Sequence, residues 1–497
     1  MNATFAIGAI LATVGILLGG SVLLTRLTGR IGIPIALGFI AVGVLAGAEG
    51  IGHIPFSDYS FAFRAGVVAL VLIIFDGGLN TPPASLRAVA APALSLASVG
   101  VFLTALIVAA FAWSVGGQEW AIAMLLGAVV SSTDAAAVFA TLRGSGVTLK
   151  TRVARTLEAE SGLNDPVAII LVISLTTFAM RNKTGHGESM WMLPALAALE
   201  MCIGAAAGWL AGRLAAPLLA KVRLESAGLY PVLTLSIAFA VFGLATVLHG
   251  SGFLAVYLTG VTLAGAEQLP HRPAILRVHD AFAWLAQIGM FLILGLLAFP
   301  TRLATAAVPA IELAFVLTLI ARPLAVAICL APFRYSFRET LFLGIVGLRG
   351  AIPIVLATIP VMSGLHEGYR IFDVVFFVVV INALMPGTVV SWLARKMRVV
   401  GTSTPEPVAT IVVETSEPMR DSLRSYYIDQ ALPVCGVPLA DIPFPDGAAV
   451  TMIVRGSNLL VAEGSTLLRA GDHAYVLASQ EAAPLVQLLF GRPEEIE

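Results

Sequence analysis

Charge is scarce in this sequence. Asp, Glu, Lys and Arg together make up only 12% of its 497 residues, where a soluble domain carries roughly 25%. Cysteine is almost missing as well. Cys202, Cys329 and Cys435 lie far apart, which excludes a disulfide framework and a cysteine-built metal site. The seven histidines form no ligand cluster, and no metal site is expected beyond one for a monovalent cation. HExxH, GxSxG and GxxxxGK[ST] are all absent, so zinc, serine-nucleophile and phosphate-loop chemistry have no footing, and no enzyme is expected. The amino terminus has no basic segment before its first apolar run, which therefore reads as a retained span rather than a cleaved signal. The net charge of -1 says nothing about partners, and no nucleic-acid partner is expected.

What fills the space is apolar. The sequence is 58% hydrophobic, with a mean hydropathy of +0.94. Runs approaching the roughly 20 residues that span a bilayer fall near 4–24, 31–50, 63–80, 88–113, 119–142, 154–179, 190–215, 227–248, 250–265, 277–299, 304–331, 339–361 and 371–394, thirteen in all. The ninth is short, and its boundary around His249–Gly252 is the least defined. Loop charges support an odd count. One alternate set of loops, continued by Arg395, Lys396 and Arg398 after the last run, holds seventeen Lys and Arg residues; the other holds five, namely Arg64, Arg181, Lys183, Arg302 and Arg370. The positive-inside rule then places the amino terminus outside and the carboxyl-terminal tail in the cytoplasm. The expected fold class is an all-α polytopic membrane protein with a small cytoplasmic α+β domain. Its domains are a transmembrane unit at 1–397, a linker at 398–406 and a soluble lobe at 407–490. In that tail Val408–Glu414, Leu423–Ile428, Ala449–Val454, Leu459–Val461 and Ala474–Leu477 read as short strands, with turns at Asp446–Gly447, Arg455–Gly456, Glu463–Gly464 and Gly471–Asp472.

Against this apolar background the polar residues stand out. The run Leu157–Pro166 puts Asn164 four residues after Glu160, and Asp165 four after Ser161, so each pair stacks on one helix face. A carboxylate at that depth costs roughly 2.5–3.5 kcal/mol on insertion scales. The stripe therefore reads either as a cation and proton site centred on Asp165 or as a polar seam between helices. Ser131-Ser132-Thr133-Asp134 interrupts the fifth span. Side chains of this kind compete with the helical backbone for hydrogen bonds, so the helix is expected to unwind there, with Asp134 facing the dipole of the second half. A capped, continuous helix is the alternative. In the twelfth span Pro353 follows Gly347-Leu348-Arg349-Gly350 and marks a second break. Arg349 is a buried cation that needs an anion, and Glu160 is the expected partner. Arg322, before Pro323, reads as structural. Asp76, at the end of the third span, is either a further cation ligand or an interfacial cap. Gly204, Gly208 and Gly212 form a small-residue packing seam; Asp280 and Gln287 are placed to face the core.

The two breaks are seven spans apart. Two six-span halves with the seventh span as a link put them at equivalent positions, the pattern of an inverted-repeat transporter with its site near the midplane. A carboxylate that holds either a proton or an alkali cation, but not both, couples the two fluxes if only the neutralised site crosses easily. Two other readings stay open. A potassium channel or uniporter needs a carbonyl filter such as TVGYG, and the sequence has none. A non-transporting sensor leaves Asp165, Asp134 and Arg349 without a purpose.

Four separated motifs, Phe75-Asp76-Gly77-Gly78-Leu79, Ser132-Thr133-Asp134, Glu160-Ser161-x-x-Asn164-Asp165-Pro166 and Gly347-x-Arg349-Gly350, resemble, in order, those of the NhaP-type sodium (potassium)/proton antiporters of the monovalent cation:proton antiporter superfamily. The resemblance covers 1–397. It implies thirteen spans, a homodimer in the bacterial inner membrane and a mobile core with elevator-like alternating access. It also implies a titrating Asp165 beside Asn164, cation ligands at Ser161, Thr133 and Asp76, a Glu160–Arg349 pair, and electroneutral exchange from the Asn-Asp pair. The tail is similar to the carboxyl-terminal lobe of RCK domains (TrkA-C type), with Arg455-Gly456 and Leu468–Asp472 carrying the match. Arg455 and Asp472 are thus the regulatory-lobe residues. That resemblance implies a lobe that either binds a regulatory nucleotide or dimerises. No nicotinamide cofactor is expected, because GxGxxG is missing. K+ or Na+ and H+ are the implied substrates, with the tail favouring K+.

Overall fold

The computed structural model describes residues 3–31, 34–184, 193–266, 269–401, 421–456, 458–479, 481–491 and 493. The chain divides into two compact units, a helical one ending at Gly401 and a carboxyl-terminal lobe. In chain order the helices are α1 (Ala3–Ile31), α2 (Ile35–Ala46), α3 (Tyr59–Leu79), α4 (Pro83–Ser95), α5 (Val101–Ser114), α6 (Trp120–Val129), α7 (Ala135–Gly144), α8 (Thr151–Thr184), α9 (Leu193–Lys221), α10 (Leu229–Val247), α11 (Gly252–Ala264), α12 (Arg272–Leu296), α13 (Pro300–Val316), α14 (Arg322–Leu330), α15 (Phe337–Ile345), α16 (Ile352–Met362), α17 (Gly368–Lys396) and, in the lobe, α18 (Ala483–Phe490). Single wide π-helical turns, Leu96–Gly100 and Leu317–Ala321, join α4 to α5 and α13 to α14. Among the described residues nine helical stretches are long and apolar enough to cross a membrane. Four shorter apolar helices, α2, α6, α11 and α16, accompany them.

The helices sort into two groups. One holds α3, α9, α10 and α11, with α2 crossing α12 backbone to backbone; the other holds α4 to α8 and α13 to α17. Contacts between the groups run chiefly from α3 to α16 and from α8 to α9 and α11. Small residues set the closest approach in the first group. The expected glycine seam on α9 lies against α11, and a Cβ on Gly208 would stand 2.3 Å from the carbonyl oxygen of Ala255. Only glycine lets the helices close to that distance, and the Thr259 hydroxyl then reaches the Gly208 carbonyl at 3.1 Å.

Both expected breaks are present. Between α6 and α7, Val130–Asp134 is not helical, and Ser131 Oγ turns back to the Ala128 carbonyl at 2.7 Å. Between α15 and α16, Val346–Ala351 is not helical, and Pro353 sits in the first turn of α16, where its missing N–H costs nothing. A capping box of Ser336 and Glu339 fixes the start of α15. One buried cluster joins the outer arms of both broken helices, running from Leu142, Val153 and Leu157 through Val346 and Leu348 to Leu393 and Val399.

The lobe is a four-stranded antiparallel sheet of β1 (Asp421–Tyr427), β2 (Ala448–Arg455), β3 (Asn458–Val461) and β4 (Asp472–Ser479), in the order β1-β4-β2-β3. α18 supplies Val486 and Phe490 to its core beside Tyr426, Ile453 and Val476. The four strands fall on four of the segments read from sequence; the fifth, Val408–Glu414, lies outside the described residues. Of the linker expected at 398–406, residues 399–401 pair with Thr148–Lys150, and 402–406 lie outside the described residues.

Candidate cation and proton site

The site is built where α8 passes the two breaks. α8 is unbroken for 34 residues. Glu160, Asn164 and Asp165 are buried on it and Ser161 is partly buried. Pro166 has no N–H, so the Gly162 carbonyl lacks its usual helical donor. α8 is stitched to the first break at several points. Ser132 Oγ donates to Asp165 Oδ1 at 2.6 Å. Ser161 Oγ accepts from the Ala135 N–H at 3.1 Å and donates to the Thr133 carbonyl at 3.2 Å. Asn164 Nδ2 donates to Thr133 Oγ1 at 2.5 Å, and Asn164 Oδ1 has no donor among the described residues.

The breaks cross each other. The Asp134 N–H donates to the Leu348 carbonyl at 2.8 Å. Arg349 Nε donates to the Val130 carbonyl at 2.7 Å and its Nη1 to the Gly347 carbonyl at 2.9 Å. The guanidinium thus satisfies carbonyls that the unwound segments free. Asp134 accepts from the Ala137 N–H at 3.3 Å, capping α7 and placing a negative group at its positive end.

Glu160 and Arg349 do not form the expected pair. The carboxylate is bonded to Arg322 Nη2 on α14, with Thr133 Oγ1 a long 3.5 Å away on the same oxygen. Arg322 is only 2% exposed. It follows directly on the π turn Leu317–Ala321, whose extra residue per turn re-aims the side chains after it. Two buried arginines and one buried glutamate were visible in sequence; which arginine faces the glutamate depends on that turn, and no spacing rule reports it.

A cleft of about 350 Å³ reaches this assembly. Asp165, Asp134 and Ser161 line it from the second helix group; Asp76, Tyr257 and Asp280 line it from the first. Its walls come from the second half of α3, the stretch of α8 from Glu158 to Asp165, the stretch of α12 from Asp280 to Phe291 and the amino-terminal ends of α7 and α16. Asp76 is half-buried in its wall, with Asn80 Nδ2 on its Oδ1 at 3.2 Å. The cleft also takes in Gln287 and Glu158. Ser132, Tyr257 and Arg322 belong to the site; the sequence reading had Ser132 only within the interrupting motif, Arg322 as structural, and no part for Tyr257. Ser132 differs from Thr133 only in which way it points in a non-helical segment, where helical periodicity fails.

In the lobe, Arg455 and Asp472 are each other's partners. The guanidinium grips the carboxylate through Nε and Nη2, both at 2.8 Å, and the Arg469 N–H adds a third bond at 2.8 Å. Asp472 is 1% exposed. Its carboxylate raises Arg455 above the ordinary guanidinium value. This fork holds the turn before β4 against β2.

Known proteins bear on this geometry directly. The family model "Sodium/hydrogen exchanger, transmembrane" matches residues 13–396, and the "TrkA-C domain" model matches 423–491. The K(+)/H(+) antiporter NhaP2 of Shewanella baltica is 39% identical over 498 residues, covering 100% of this chain and 84% of its own. The K(+)/H(+) antiporter NhaP of Alkalimonas amylolytica is 37% identical over 481 residues, covering 96% and 83%. Among solved structures, the sodium proton antiporter MjNhaP1 of Methanocaldococcus jannaschii superposes with a TM-score of 0.66 at 22% identity, over 80% of this chain and 99% of that one. The fold is shared with that structure, and a multi-pass membrane protein whose relatives are transporters follows from the sequence matches. With a family model spanning both crossed breaks and α8, and full-length relatives of the same kind, this chain belongs to the sodium/hydrogen exchanger family.

Proposed function

We propose that this chain is a secondary active antiporter that exchanges a monovalent cation for H+, with K+ favoured and Na+ as the alternative substrate. Asp165 holds the proton in one half of the cycle and the cation in the other. Ser161, Thr133, Asn164 and Asp76 contribute to the cation site; Asp134, Glu160 and Arg349 hold the crossed breaks around it, with Arg322 as the partner of Glu160. The observation that carries the reading is the placement of Asp165. It is a carboxylate deep in an apolar helix, held by one hydroxyl donor and lining a cleft whose opposite wall belongs to the other helix group. Neutralising it by either ion lowers the cost of moving it through hydrocarbon.

K+ is favoured because the full-length relatives at 39% and 37% identity are named K(+)/H(+) antiporters, and because a TrkA-C lobe is attached. The Asn164–Asp165 pair supports one-for-one, electroneutral exchange. Alternating access by movement of one helix group against the other, a homodimer, two inverted repeats and a bacterial inner-membrane location belong to the same proposal. So do the orientation given by the loop charges and a lobe that senses a small nucleotide or dimerises. The test is the purified protein in liposomes with an entrapped pH dye, titrated with K+ and then Na+. Cation-driven proton flux in wild type and none in Asp165→Asn is the expected result. Retained exchange in Asp165→Asn removes Asp165 from the coupling role, and flux that follows membrane voltage points to conduction instead.

A further inference from the structure

The chain does not leave the membrane unit freely at the end of α17. Arg398 takes a left-handed conformation, φ 56°, two residues after the helix ends, and turns the chain back against the unit. Val399 is fully covered in the buried cluster beneath the loop between α7 and α8. The Lys150 N–H donates to the Val399 carbonyl at 2.8 Å, and the Gly401 N–H to the Thr148 carbonyl at 3.0 Å. Leu149 and Val400 form the antiparallel bridge between these bonds. They are a non-hydrogen-bonded pair, the kind whose side chains approach most closely. A Cβ on Gly401 would stand 2.8 Å from the Leu149 carbonyl oxygen, so the short ladder closes only with glycine there. Ser391 Oγ adds a bond to Ser145 Oγ at 2.7 Å at the other end of the same loop.

The strapped loop is the joint between α7, which opens on Asp134, and α8, which carries Asp165. Thr402 is the next residue toward the lobe. Any load the lobe places on its connection therefore enters at Gly401 and meets Thr148–Lys150 before it meets the body of α17. We propose that Val399–Gly401 is a strap through which the carboxyl-terminal lobe acts on exchange. Seated, it makes α7, α8 and α17 move as one body; released, it loosens the α7–α8 joint and changes cation affinity at the site. The proposal rests on the exchange reading for its transport readout.

The test uses the full chain with a protease site placed between residues 402 and 420, so that the lobe is cut off after folding. Three proteins are compared in liposomes with K+ as the probe: the parent, Gly401→Val, and Leu149→Cys/Val400→Cys oxidised to a disulfide. Amide exchange at Lys150 and Gly401, the two donors of the ladder, reports the strap independently of transport. Cutting is expected to change the apparent cation KM of the parent by about fivefold, a typical coupling between sites. It should leave the crosslinked protein unchanged. Gly401→Val should show the altered KM before cutting and faster amide exchange at Lys150. A parent KM that ignores cutting overturns the proposal, as does an equal response in the crosslinked protein. Unprotected amides at Lys150 and Gly401 in the parent sink the strap alone. A parent that exchanges nothing sinks the exchange reading, and this proposal with it.

Discussion

Ser132 Oγ lies 2.6 Å from Asp165 Oδ1 and donates to it, although the two residues are 33 positions apart on different helical segments. Unwinding at the first break brings them together, since a helical Ser132 would have its hydroxyl turned to its own backbone. A donor on a carboxylate stabilises its ionised form, which is the form that receives a cation. Losing a hydrogen bond to a charged group costs about 1.5–3 kcal/mol. Ser132→Ala should therefore raise the apparent cation KM by about tenfold or more, with proton-coupled flux still measurable. Asp165→Asn should have no flux at all. An unchanged KM in Ser132→Ala would show that this hydroxyl is a bystander.

Competition fixes the direction of the pH response. Protons and cations neutralise the same carboxylate, so a fall in pH fills more of the sites with H+ and demands more cation to displace it. On the acid side of the titration the apparent cation KM should rise about tenfold for each unit that pH falls, as one bound proton requires by linkage. On the alkaline side the KM should level off. Measuring KM for K+ in liposomes at several pH values, equal on both sides of the bilayer, checks this. A KM independent of pH across the active range would mean separate sites for proton and cation.

The Glu160–Arg322 pair is buried on both sides, at 1% and 2% side-chain exposure. Removing one partner of such a pair leaves an uncompensated charge and costs about 3–5 kcal/mol. Arg322→Ala should lower the thermal unfolding midpoint in detergent sharply. The neutral swap Glu160→Gln with Arg322→Met should recover part of the loss. A double-mutant cycle separates the two arginines: the coupling of Glu160 to Arg322 should fall near the upper end of the roughly 0.5–3 kcal/mol range for contacting residues, and its coupling to Arg349 well below that. The reverse order would restore the pairing expected from sequence.

These cases show what the sequence could and could not report. Both breaks were legible because Ser131–Asp134 and Gly347–Pro353 carry residues that disfavour helix on local grounds. The α8 stripe was legible because 3.6-residue periodicity holds along an unbroken helix. The strands at Leu423, Ala449, Leu459 and Ala474 were legible from their turns. Partner choice inside the site was not. The direction of Ser132 is set in a segment without periodicity, and the aim of Arg322 by a π turn whose residues Leu317-Thr318-Leu319-Ile320-Ala321 look like any other apolar helix. The return of Val399–Gly401 onto Thr148–Lys150 is a contact across some 250 positions, and nothing local announces it.

The crossing of the breaks depends on the smallest side chain in the twelfth span. A Cβ on Gly350 would lie 2.1 Å from Asp134 Oδ2 and 3.0 Å from Asp134 Cβ. The obstacle is a short side chain that is itself capping α7 and whose backbone N–H is bonded to Leu348, so it cannot swing away without releasing one tie or the other. Gly350→Ala should therefore push the two breaks apart, at a cost of about 1–3 kcal/mol for overpacking. It should also lower exchange far more than that loss of stability explains, because Thr133 and Ser132 move with Asp134. Gly204→Ala is the control in stability: its Cβ would meet the Ser251 carbonyl oxygen at 2.5 Å, where α9 packs on the start of α11 and away from the crossing. Thermal unfolding and proton-coupled flux measured on both variants decide the matter. If Gly350→Ala and Gly204→Ala lose exchange only in proportion to stability, the crossing is scaffolding. If Gly350→Ala alone loses transport while still folded, the contact between Gly350 and Asp134 sets the geometry of the site.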